Sequence, residues 1–277
     1  MDLESYGVAT NIVVILLTVF YGSLITSEFR ALRSGNQNPE DSRDSLSWLQ
    51  LALVVHLVVI VIRGFEVGSC PVASRWEAFS LLAFLIASLQ WVLVVFSKDR
   101  STLIFGLGFA FLLQLGSASF SLTLESGDVS KLDAIRSLHA FSALLGVAGV
   151  AIAGIHGILW MLLRSSIKRG NFGLLFNNLS SLESLSKLLR TATSISAITL
   201  TISLVSAFLL VDEQNINRSL GYESYITVFV WLVFTVLALV PRSNHSVTVW
   251  RTLFSIGGFV LVLFVLLWIS VFGFHSV

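Results

Sequence analysis

Apolar residues in this chain fall in long runs, without the stripes that half-bury a helix or the alternation that half-buries a strand. Crossing ~30 Å of hydrocarbon takes about 20 mostly apolar residues. Eight segments qualify, at approximately 8–27, 46–62, 77–97, 101–122, 138–163, 191–211, 224–240 and 252–274. They use nearly the whole chain and leave no room for a separate soluble domain. The pattern predicts an all-α integral membrane protein, a single bundle of about eight transmembrane helices over residues 1–277, every backbone polar group being satisfied within its own helix. The first run lacks a basic stretch before it and a small-residue cleavage site after it, so it reads as a retained span and not a signal peptide.

Composition agrees, with 55% hydrophobic residues, 12% charged and a mean hydropathy of +0.88. The net charge of +1 decides little, because the asymmetry is local. Alternate connections hold Arg30, Arg33, Arg43, Lys98, Arg100, Arg164, Lys168, Arg169, Lys187, Arg190, Arg242 and Arg251, while the other set holds Arg63, Arg75, Lys131, Arg136 and Arg218. The richer set belongs on the cytoplasmic side. Both termini are therefore expected on the outer, extracytoplasmic face of a cell (inner) membrane. No basic footprint for nucleic acid is visible.

Cys70 is the single cysteine, which excludes an intrachain disulfide and a cysteine-built zinc site. Its neighbour Pro71 makes a dipeptide associated with haem thiolate ligation; the reading favoured here is an outer-loop residue before a turn proline. In the longest inner loop, Ser180 and Glu183 have capping-box spacing, and Leu182, Leu185, Leu188 and Leu189 recur at helical spacing. Two readings stand equally: a short amphipathic helix on the inner leaflet, or the polar start of the sixth span. The serines at 194, 196, 203 and 206 can bond back to their own helix. Gly149, Ala153 and Gly157 recur every four residues and predict a closely packed, central fifth span.

Histidines are the candidate chemistry. His139 opens the fifth span and His275 follows the eighth, so both are expected at the outer boundary. His156 is 17 residues beyond His139, about 25 Å deeper at ~1.5 Å per residue, and the two cannot share one iron. His56 lies two turns inside Arg63, at a depth where a polar group suggests function. His245 reads as solvated. Zinc wants three or four ligands, and Glu66, Glu77, Glu125, Asp128 and Asp133 are scattered over different loops. Haem iron takes two axial imidazoles, and Arg63, Arg75 and Arg136 are expected at the right level for its propionates. Arg136 and His139, one turn apart, share a face.

The stretch from Arg63 through Gly64, Pro71, Trp76 and Glu77 resembles the outer loop of the cytochrome c assembly membrane proteins, the superfamily of CcsA, CcmC and HemX. Leu138, His139 and Ala140, the segment Ser181 to Ser184, and Phe274, His275 and Ser276 extend the resemblance over essentially the whole chain. It implies that His139 and His275 are the outer axial ligands of a non-covalent, b-type haem. Two features depart. The tryptophan-rich outer segment should fall between the sixth and seventh spans, where Asn217 to Glu223 contain no tryptophan. The inner histidine should fall near Leu239 and is missing, with His156 as a substitute at similar depth. Short HemX-like relatives lack the tryptophan segment and keep a histidine where His56 stands.

The expected function is therefore membrane haem binding in cytochrome c biogenesis or the control of haem synthesis, with other membrane proteins of those pathways as partners. The chain need not be an enzyme, because the chemistry belongs to the cofactor. Trp76 has two readings, a porphyrin stack or, preferred, an interfacial anchor. The alternatives are a small-solute secondary transporter using His56 and His156, and a regulatory scaffold for haem-synthesis enzymes.

Overall fold

A computed structural model of the chain describes residues 3–34, 39–67, 72, 74–121, 134–170, 173, 176, 178–210, 222–240 and 245–272. Among the described residues there are eight long helices and no strand: α1 (Leu3–Ser34), α2 (Pro39–Val67), α3 (Arg75–Ser97), α4 (Leu103–Ser121), α5 (Ala134–Arg169), α6 (Leu182–Leu210), α7 (Tyr222–Leu239) and α8 (His245–Phe272). Each corresponds to one expected span, with shifted ends. Six are long and apolar enough to cross a membrane; the apolar stretches of α4 and α7, Leu103–Ser119 and Tyr225–Leu239, are shorter. The protein is thus an all-helical, multi-pass membrane protein.

Helix ends follow local chemistry. Ser74 and Glu77 form a reciprocal cap at the start of α3, Glu77 N donating to Ser74 Oγ at 3.4 Å and Ser74 N to Glu77 Oε2 at 3.1 Å. α5 stops at Gly170, whose φ of +64° carries no side-chain penalty in glycine. The cap of α6 lies one residue later than its spacing suggested: Ser184 N donates to Ser181 Oγ at 3.2 Å. The Leu182–Arg190 segment is the polar start of α6, because Leu185, Leu188 and Leu189 are buried against protein and the helix continues to Leu210.

The chain divides into two compact units, Met1–Leu132 and Asp133–Val277. In the first, α1 packs on α2 and α4, and α3 packs on the same two, closing a ring of four helices. Buried polar layers cross this ring. At one end Arg100 donates to Glu28 Oε1 at 2.7 Å, and Ser45 also bonds to both. Next, Gln90 Nε2 donates to Thr102 Oγ1 at 3.0 Å. A third layer contains His56, and a fourth, at the opposite end, is built on Glu77.

The second unit is another ring of four, α5 packing on α6 and α8, and α7 on the same two. Small residues set its closest contact. A Cβ at Gly149 would stand 2.9 Å from Ser196 Cβ and 3.0 Å from Ser196 Cα, so the backbones of α5 and α6 touch. Ser196 Oγ donates across that contact to Gly146 O at 2.8 Å; this serine serves the neighbouring helix and not its own. On the other flank of α5, Gly157 meets Thr252 and Ile256 of α8, and Gly258 of α8 meets Val150 and Phe234. Arg251, 3% exposed, closes the last turn of α7: its Nη2 donates to Leu237 O at 3.1 Å and Val240 O at 2.9 Å, a cation at a helix C-terminus.

Candidate functional site

His139 stands in the second turn of α5, half-buried against α6. Its Nδ1 lies 2.9 Å from the carbonyl oxygen of Ser203 and 3.2 Å from Ser203 Oγ. A carbonyl only accepts, so the proton sits on Nδ1 and is shared with the hydroxyl, which itself turns toward His139 O at 3.5 Å. That tautomer leaves Nε2 with its lone pair. A backbone carbonyl on one ring nitrogen is how proteins orient an imidazole whose other nitrogen binds a metal. Ser203 does this from 64 positions away in sequence, and also accepts from Ser206 Oγ at 2.9 Å.

The antiparallel register of α5 and α8, with Val150 beside Gly258 and Gly157 beside Thr252, brings the last turn of α8 to the level of His139. Phe272 ends that helix, three residues short of His275, which lies outside the described residues. Arg136 is exposed on the first turn of α5. Two turns below His139, a pocket of about 100 Å³ opens between α5, α6, α7 and α8. Val147, Val150, Leu200, Val230, Val262 and Leu266 line it with their neighbours, and Thr227 supplies the one hydroxyl.

His156 is on the same unbroken α5, fully buried, and its Nδ1–H donates to Ile152 O at 2.8 Å within its own helix. Leu239 is 78% exposed on the last turn of α7, so that position does not face the interior of its unit. His245 is the first residue of α8.

His56 belongs to the first unit, where both of its ring nitrogens are engaged. Ser80 Oγ donates to Gln114 Oε1 at 3.2 Å, so its single proton is committed and it accepts from His56 Nε2–H at 2.9 Å. Tyr21 O–H then donates to His56 Nδ1 at 3.1 Å. One directional chain links α1, α2, α3 and α4 through a neutral imidazole, and all four side chains are buried. Phe84 packs edge-on against the ring at 5.4 Å. This environment holds the histidine as a structural junction.

The proposed propionate partners separate here. Arg63 Nε donates to Glu77 Oε1 at 2.6 Å, and its guanidinium lies 5.5 Å from the centre of the Trp76 ring. Trp76 also accepts from Ser117 Oγ through its carbonyl at 2.8 Å. Arg63, Trp76 and Glu77 therefore tie α2, α3 and α4 together. Arg75 is the first residue of α3, its side chain outside the described residues, as is Cys70. Sequence reasoning missed Glu77 as the receiver of Arg63, although Ser74 and Glu77 carry the capping-box spacing. It also missed Tyr21, Ser80 and Gln114, for which no local signal exists. Glu77→Ala is expected to lower stability by about 3 kcal/mol, because it breaks the cap of α3 and removes the buried carboxylate that accepts from Arg63 Nε. Thermal unfolding followed by circular dichroism checks this; an unchanged midpoint would contradict the clamp.

Among the described residues, no three His, Cys, Asp or Glu side chains gather into a metal-binding group. No protein-family model, curated protein or solved structure matches this chain.

Proposed function

We propose that this protein is an integral membrane haem-binding protein of the cytochrome c assembly type, closest to short HemX-like chains, with both termini on the outer face of the cell membrane. The observation that carries the reading is the bond from His139 Nδ1–H to the Ser203 carbonyl, which fixes the ring and presents a basic Nε2. His275 is the proposed second axial ligand, because α8 ends at Phe272 near the level of His139. Arg136, one turn from His139 on α5, is the proposed propionate partner.

When bound, the haem supplies the redox chemistry, and the chain's residues bind and orient it. Its partners in this reading are membrane proteins of cytochrome c maturation or haem synthesis. A solute transporter built on His56 draws less support, since that imidazole is spent on Tyr21 and Ser80. The test is haem retained per protein after purification from haem-replete cells. His139→Ala is expected to lose about nine-tenths of it, on the order of the 10- to 100-fold effects of lost ligand interactions. Ser203→Ala is expected to retain most of it, because the backbone carbonyl survives. Equal retention in wild type and His139→Ala would overturn the proposal.

A further inference from the structure

In the second unit, basic side chains collect at the end where α5 and α7 stop and α6 and α8 begin. Arg164, Lys168, Arg169, Lys187, Arg190 and Arg251 lie there, with Glu183 the one carboxylate between residues 134 and 210 or 224 and 277. In the first unit the sequence at the end where α1 and α3 stop is balanced, with Arg30, Arg33, Arg43, Lys98 and Arg100 against Glu28, Glu40, Asp41, Asp44 and Asp99 in number. The excess charge belongs to one unit.

Two of those cations lie near one another, one buried and one half-buried. Arg251 is 3% exposed and bonded to the terminal carbonyls of α7, and Arg190 of α6 is close enough for the two charges to act on one another. Arg190 Nη1 is buried and has no hydrogen-bond partner among the described residues. An unpaired buried guanidinium N–H beside a second cation is costly unless an anion joins them.

Depth identifies the anion. The apolar stretch of α7 ends at Leu239 and Arg242 follows in sequence, so its terminal carbonyls belong at the polar edge of the apolar layer. Arg251 is bonded to those carbonyls and therefore stands at the level of lipid phosphates. We propose that Arg190 and Arg251 form a phosphate-binding site for the headgroup of an anionic membrane lipid. This site is separate from the haem reading and does not depend on it.

The experiment titrates the full chain in neutral detergent with phosphatidylglycerol, phosphatidylcholine or inorganic phosphate and follows the thermal midpoint. Phosphatidylglycerol alone is expected to raise the midpoint, and Arg190→Gln is expected to weaken its apparent affinity about tenfold, as loss of one charge-assisted bond does. Lys187→Gln, an exposed cation one turn earlier, is expected to leave it unchanged. Equal responses to both lipids, or equal loss in the two variants, would overturn the site. Full stabilisation by inorganic phosphate alone would overturn the lipid as its source. Should Arg190→Gln not fold, Arg190→Lys keeps the charge and loses the fork; wild-type affinity in that variant would also overturn the proposal.

Discussion

Gly149→Leu is expected to push α5 away from α6 and to destabilise the protein by more than about 3 kcal/mol, the upper range for overpacking. The reason is what a side chain would strike. A Cβ at Gly149 already meets the Ser196 backbone at 3.0 to 3.1 Å, and backbone cannot swing aside as a flexible side chain does. Separating the helices also stretches the bond from Ser196 Oγ to Gly146 O and shifts Ser203 relative to His139. Haem retention should therefore fall with stability. Gly257→Ala is the control, because a Cβ there meets nothing within 4 Å, and it is expected to change stability by less than about 1 kcal/mol in either direction. Unfolding by titrated SDS, followed by circular dichroism, compares the two. A Gly149→Leu protein as stable as the Gly257→Ala control would refute the contact.

His56→Leu is expected to cost about 3 kcal/mol while leaving haem per folded protein unchanged. Removing the imidazole leaves the Tyr21 hydroxyl without its acceptor and Ser80 without its donor, both buried where water cannot replace them. Because the loss is shared, Tyr21→Phe together with His56→Leu should cost less than the two single changes added. Additive losses would show that the chain does not act as a unit. Haem lost in proportion to His56 occupancy would instead return this residue to the ligand set.

The spans were legible because a bilayer allows few solutions: runs of about 20 apolar residues become helices whatever packs beside them. Their ends were less legible. α5 runs from Ala134 to Arg169, well past the apolar run 138–163, since helical propensity carries Arg164 to Arg169 into polar surroundings. The small residues at 149, 153 and 157 announced close packing correctly, but they could not say that Gly149 faces α6 and Gly157 faces α8. That His139 stands near the start of the fifth helix was legible; its tautomer was not, because Ser203 is supplied by another helix. His56 stood out by depth alone, and its partners Tyr21, Ser80 and Gln114 are common residues at unremarkable spacings. Arg63 was grouped with Arg75 and Arg136 by level, and a shared level does not reveal that a buried carboxylate has already claimed one of them.

The central claim is a haem iron held by His139 and His275. Its most direct test is the absorption spectrum of the full-length protein purified from haem-replete cells, oxidised and reduced, beside His139→Ala and His275→Ala. The wild type is predicted to show a Soret band with the low-spin signature of two axial imidazoles, and each variant to lose pigment or turn high-spin. A colourless wild-type protein, or a low-spin spectrum that survives both substitutions, would contradict it.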